Sequence, residues 1–169
     1  MEKENLTNRI LVLGVGNLLM GDEGVGVHAI RALEKEMLPD AVDPVDGGTG
    51  GFHLLSYLQD YPIIIMIDAT MDGKPPGTVA LIEPKFASDF PKALSAHDIG
   101  LKDLVESAAL LDSLNKIYLV TVSIKTIQNM QIELSPEIKA AIPSVIEKVK
   151  ELVTTLVQSD GGNSIKEQY

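Results

Sequence analysis

Ile10-Leu11-Val12-Leu13-Gly14-Val15-Gly16-Asn17-Leu18-Leu19-Met20-Gly21-Asp22-Glu23-Gly24-Val25-Gly26-Val27 is the stretch whose reading decides the fold. Ile10 to Leu13 are apolar and mostly branched, the composition of a short buried strand. Gly14 and Gly16 turn the chain, and Asp22 offers an N-cap for a helix expected to run to about Leu38. Val25, Ala29, Leu33 and Met37 recur every fourth residue, which gives that helix one apolar stripe to lay on a sheet. Strand, glycine loop and helix together open an α/β unit.

A Gly-x-Gly after a strand also begins the dinucleotide-binding fingerprint. That fingerprint needs a third glycine three residues after the second, for close helix packing and room beside the pyrophosphate. The position is Leu19. Asp22 and Glu23 moreover put two negative charges at the helix start, where they repel phosphate and attract a cation. No nucleotide cofactor is expected.

The 169 residues suit one domain, 1–169, with polar and loose ends at 1–8 and 159–169. Hydrophobic residues make up 45% and charged ones 22%, a globular composition. With 24 acidic against 14 basic side chains the formal charge is −10, and no Lys or Arg cluster offers a face to nucleic acid. Such an acidic surface suits a metal cation or a basic segment of a partner. The absence of cysteine excludes disulfides, thiolate metal sites and thiol nucleophiles. No apolar run is long enough to span a membrane or act as a signal peptide, so a cytoplasmic protein is expected.

Further along, Ala41–Val45 is a weak strand in which Pro44 argues for a sheet edge. It leads into Asp46-Gly47-Gly48-Thr49-Gly50-Gly51 and a short amphipathic helix ending near Asp60. Pro62 to Ile67 is the most apolar segment and is expected to be a central parallel strand buried on both faces, with Asp68 following at its carboxyl end. Thr78–Ile82 and Ile117–Val122 read as further strands, and Leu101–Leu111 as a helix with His97 at or just before its start. Ser135-Pro136 begins a last helix, in which Pro143 predicts a break or kink. The expected fold is a three-layer α/β sandwich: a mainly parallel, twisted sheet of about five strands flanked by helices.

Ligands of open parallel sheets sit beyond the carboxyl ends of the strands. Order along the chain puts Glu23, Asp68 and His97 there, and two carboxylates with an imidazole suit a divalent first-row metal. Each has a plainer use: Glu23 opposite a helix dipole, Asp68 in a turn, His97 in solvent. Their joint placement favours a site. Asp46, in its glycine setting, is a candidate general acid/base or substrate contact, and Asn17 a loop-fixing amide. His28 and His53 show no ligand spacing. Neither a Ser/His/Asp arrangement nor a His-Glu-x-x-His helix is present.

Gly14-x-Gly16-Asn17-x-Leu19-x-x-Asp22-Glu23-Gly24-x-Gly26 resembles the opening signature of the nickel–iron hydrogenase maturation endopeptidases. The likeness continues at Asp46-Gly47-Gly48-Thr49, at Ile67-Asp68-Ala69 and at Ser95-Ala96-His97-Asp98-Ile99-Gly100-Leu101, and so covers roughly residues 9 to 157. The resemblance implies an endopeptidase that trims the C-terminal extension from the precursor of the hydrogenase large subunit. It also implies that Glu23, Asp68 and His97 contact the metal. In that family the precursor already carries nickel, so the metal is expected to arrive with the substrate and to serve as the recognition signal. Whether it polarises the scissile carbonyl or only positions the peptide stays open at this level. So does a non-catalytic nickel chaperone or scaffold on the same fold.

If the acidic pair is what rejects phosphate, Leu19→Gly will not create affinity for NAD or ATP. Calorimetry that found micromolar nucleotide binding by the native protein would overturn the electrostatic argument.

Overall fold

The computed structural model describes residues 6–49, 51–85 and 116–163. Strands β1 (Ile10–Gly14), β2 (Val42–Asp46), β3 (Ile63–Thr70), β4 (Val79–Ile82) and β5 (Lys116–Ser123) form one sheet in the order β2-β1-β3-β5-β4. β1 pairs in parallel with β2 and β3, and β3 in parallel with β5, whereas β4 runs antiparallel to β5. The sheet is therefore mixed but mostly parallel. The exception has a simple cause. Only residues 71–78 join β3 to β4, and a parallel crossover needs about a dozen residues or more.

β3 and β5 are buried along nearly their whole length, as expected of inner strands covered on both faces. β2 is an edge strand, which is where Pro44 is tolerated. β3 and β5 run further than their apolar runs predict, so Asp68 lies inside β3 and not after it.

A 3-10 turn, Gly21–Gly24, leads into helix α1 (Val25–Leu33), and α2 (Leu55–Asp60) follows a second such turn. α3 (Pro136–Asn163) is the long C-terminal helix. One apolar cluster joins Val12, Ile65 and Val120 of the sheet to Ile30 and Leu33 of α1 and to Val145 and Val149 of α3. A second, on the other face, joins Leu13, Ile64, Met66 and Leu119 to Leu54 and Leu58. α1 and α3 thus share one face of the sheet and α2 takes the other.

α1 stops at Leu33, short of the expected Leu38, and Met37 is left 94% exposed. The residue before a proline resists the helical conformation, and here Pro39 already bends the chain toward β2, its carbonyl accepting the Val42 amide at 3.0 Å. α3 runs unbroken through Pro143. Pro143 sits on the exposed side of the helix, where the Lys139 carbonyl it leaves unpaired can be hydrated, while Ile138, Val145 and Val149 stay packed. The same helix continues past Ser159 to Asn163, further than a frayed end at Ser159 would allow. The helix expected over Leu101–Leu111 lies outside the described residues.

Asp43 of β2 receives the guanidinium of Arg9, with Nε at 2.6 Å from Oδ2 and Nη2 on Oδ1, and the Tyr61 hydroxyl donates to it at 3.0 Å. The contact ties the edge strand to the start of β1 and the end of α2. The Arg9 hydrogen bonds hold the Asp43 carboxyl below its ordinary range in spite of burial. Burial first, and then Asp43, push the Tyr61 hydroxyl up to about 12. A depressed carboxyl pKa stabilises the fold above the unfolded value of about 3.9, and that stability disappears as pH falls through the folded value. Because the two side chains are 32% and 27% exposed, Asp43→Asn is expected to cost only about 0.5–1 kcal/mol at pH 7. Urea unfolding should show that difference vanishing in strong acid; a difference that persisted would mean the contact acts through packing alone.

Candidate active site at the carboxyl edge of the sheet

The loop after β1 is held by backbone. Val15 N–H donates to the Ile67 carbonyl at 2.9 Å, Gly16 N–H to Gly48 at 2.7 Å, and Gly47 N–H to Gly14 at 2.8 Å. These bonds stitch the loop to β3 and to the Asp46–Thr49 segment. Its next residue holds a candidate ligand: Asn17 N–H donates to Glu23 Oε2 at 2.6 Å, while Asn17 Oδ1 accepts the Leu19 amide at 2.9 Å. Asn17 thus fixes the loop as its sequence context suggests. Glu23 is buried, 6% exposed, on the 3-10 turn.

Asp22 does something the sequence reading did not foresee. No side chain caps the 3-10 turn or α1. Asp22 instead reaches the start of α3, where Oδ1 accepts the Ser135 amide at 2.7 Å and Oδ2 the Ser135 hydroxyl at 2.8 Å. Gln128 closes the clasp, its Oε1 accepting the Asp22 amide at 2.8 Å and its Nε2 donating to Asp22 Oδ2 at 3.2 Å. Gly21 is required there, since it adopts φ +58° and a Cβ on it would strike the Gln128 side chain. Local pattern could not reveal a partner 113 residues away.

Asp68 is fully buried in β3. Its Oδ1 accepts the Ala69 amide at 2.8 Å, and its Oδ2 has no hydrogen-bond partner among the described residues. Burial, and then the charge of Glu23, push its pKa well above the ordinary carboxyl range against the pull of the Ala69 amide. Glu23 and Asp68 therefore lie within electrostatic reach of each other. Two buried carboxylates in that relation repel, and a cation between or beside them would relieve both.

The other expected residues are placed differently. Asp46 ends β2 opposite Gly14, on the same edge of the sheet, but its side chain is exposed and Oδ1 accepts the Gly48 amide at 2.8 Å. His97 lies outside the described residues. Among those residues no three acidic or imidazole side chains converge closely enough to hold a metal ion. His28 bonds the Ile132 carbonyl at 3.0 Å and His53 is exposed, so neither joins the site. A groove of about 720 Å³ lined by Ile142, Ile146 and Glu36 lies between α1 and α3, away from these carboxylates. Two groups escaped the sequence reading: Gln128, and the hydroxyl of Thr70 two residues past Asp68. Thr70 was legible in principle, because its alternation with Met66 and Asp68 continues the strand.

The pattern that describes hydrogenase maturation proteases matches residues 27–152. The chain belongs to the hydrogenase maturation protease family. It is 36% identical over 145 residues to the hydrogenase 2 maturation protease of Escherichia coli, covering 83% of this chain and 88% of that one. It is 35% identical over 148 residues to the hydrogenase expression/formation protein HupD of Thiocapsa roseopersicina, covering 84% of this chain. The match spans 66% of that HupD, and the match to the HupD of Bradyrhizobium diazoefficiens spans 59% of the relative. Among solved structures, the hydrogenase maturating endopeptidase HybD from E. coli superposes with a TM-score of 0.78 at 34% identity, covering 87% of this chain and 93% of that one. The [NiFe] hydrogenase maturation protease HybD of Thermococcus kodakarensis gives 0.70 at 29%, covering 86% and 99%. The mostly parallel α/β fold is therefore a family property. Among the described residues no helix is long and apolar enough to cross a membrane.

If the Asp22 clasp joins the glycine turn to α3 as described, Asp22→Ala and Ser135→Ala will each destabilise this family member by about 1–2 kcal/mol. Measured as a double-mutant cycle by urea unfolding, they should couple by at least about 0.5 kcal/mol. Simple additivity would assign Asp22 to its own turn.

Proposed function

We propose that this chain is an endopeptidase that removes the C-terminal extension from the nickel-loaded precursor of a nickel–iron hydrogenase large subunit. The observation that carries the reading is the pair of buried carboxylates, Glu23 and Asp68, at the carboxyl edge of the sheet in a member of this protease family. Relatives named protease or endopeptidase support an enzyme over a non-catalytic chaperone.

Nickel enters as part of the substrate. Asp68 Oδ2, unpartnered among the described residues, has its lone pairs available, and Glu23 brings a second carboxylate. With the imidazole of His97 they make a donor set suited to a divalent first-row ion. Seating the metal there lays the adjoining C-terminal segment along the edge that also carries Asp46 and turns recognition into orientation. Cleavage adds water across one peptide bond. The water oxygen bonds to the carbonyl carbon, the C–N bond breaks, and a proton passes to the departing amine. Asp46, exposed and steadied by the Gly48 amide, takes the water proton and returns it to the amine. The same reading has residues 1–169 act as a single peptidase domain of three layers in the cytoplasm.

The experiment mixes purified protein with nickel-loaded and nickel-free precursor and follows the size of the large subunit. Only the nickel-loaded form should shorten. Glu23→Gln and Asp68→Asn should lose at least the roughly 10–100-fold that loss of an outer-shell partner costs a metal site. Asp68→Asn should melt no lower than the parent, since it removes a buried charge. His28→Gln should cleave normally. Equal cleavage of both precursors would remove nickel recognition from the mechanism.

A further inference from the structure

An inner strand of a mostly parallel sheet is expected to be apolar on both faces. On the face shared with α2, β3 presents Ile64 and Met66, and β5 presents Ile117 and Leu119, all in one apolar cluster. Continuing the alternation brings Asp68 and Thr70 on β3, and Thr121 and Ser123 opposite them in register on β5. These four are only 0%, 2%, 2% and 1% exposed. The apolar floor therefore turns polar over its last two residue pairs, at the edge that carries the site. The Ser123 hydroxyl is engaged by Asp72. Thr70 Oγ1, like Asp68 Oδ2, has no hydrogen-bond partner among the described residues.

Two such atoms side by side need a common explanation, because buried polar groups left unpaired are rare and destabilising. They do not satisfy each other. Positions two apart on one strand face are about 6.5–7 Å apart, which leaves room for a third group between the side chains. With its proton displaced by a cation, Asp68 Oδ2 only accepts or ligates, whereas the Thr70 hydroxyl can donate. The pair is thus complementary to something with a positive centre next to an acceptor oxygen. A peptide carbonyl held beside a cation has that form.

We propose that Thr70 is a substrate-binding residue whose hydroxyl donates to a backbone carbonyl oxygen of the segment being cut, beside the group that Asp68 holds. This rests on the cleavage reading above and adds to it a donor on the strand floor. It also explains why the protein keeps a buried hydroxyl that has no hydrogen-bond partner among the described residues.

Thr70→Val keeps the shape and removes the hydroxyl, and Thr70→Ser keeps the hydroxyl. The measurements are the melting temperature of the free protein and steady-state cleavage of the nickel-loaded precursor. Thr70→Val should melt no lower than the parent, while its kcat/KM falls about 10–100-fold, the scale of one buried hydrogen bond with charge character. Thr70→Ser should retain most of the activity. A lower melting temperature for Thr70→Val would show that the hydroxyl already serves the fold, and overturns the proposal. Undiminished cleavage by Thr70→Val does the same and leaves the protease reading intact. If the parent itself leaves the precursor uncut, it is the cleavage reading that fails.

Discussion

Gly26, in the first turn of α1, has no side chain, and the candidate site depends on that omission. A Cβ there would collide with the carbonyl oxygens of Val15 and Ile67, and one on Gly14 would collide with the Gly26 carbonyl. Helix backbone therefore rests directly on the backbone of β1 and β3. The turn Gly21–Gly24 is carried down with the helix, and Glu23 comes within electrostatic reach of Asp68. In a dinucleotide fold a comparable glycine economy makes room for pyrophosphate. Here the space is taken by protein, and what remains at the edge is anionic.

That arrangement is costly to the free protein. Asp68 is fully buried and faces the charge of another carboxylate. A site with these properties is stabilised by whatever cation occupies it, and the precursor's nickel is the cation we propose for it. A carboxylate in bulk water would bind a cation weakly and without orientation, whereas one fixed inside a strand holds it in a single place.

The Asp22 clasp has a complementary role. It fastens the glycine turn to the beginning of α3, across the connection that follows β5. Glu23 is thereby held from two directions, by the Asn17 amide on its own loop and through its neighbour Asp22 by a distant helix. Adjacent acids serve opposite ends. One is consumed by the scaffold and the other faces the site.

The strand–glycine–helix opening, the doubly buried apolar strand at Ile63, the edge strand with Pro44 and the start of α3 at Ser135-Pro136 were all legible from local pattern. Each depends on near neighbours: period of apolar residues, missing amides, glycine turns. The resemblance of the first motif likewise points to the family from the sequence alone. Local pattern failed where a decision belonged to distant residues. Asp22 looked like a cap for its own helix because its partners Gln128 and Ser135 are more than a hundred residues away. Met37 kept the stripe but not the helix, since β2 required the chain to turn back first. The direction of β4 followed from the length of a connection and not from its composition. Thr70 had an ordinary place in a strand until burial and the lack of a partner among the described residues set it apart. Composition and periodicity determined which segments form strands and helices, because those depend on local backbone and surface. Which polar groups are satisfied, and which are left for a ligand, was decided only by tertiary packing, because satisfaction is a property of pairs.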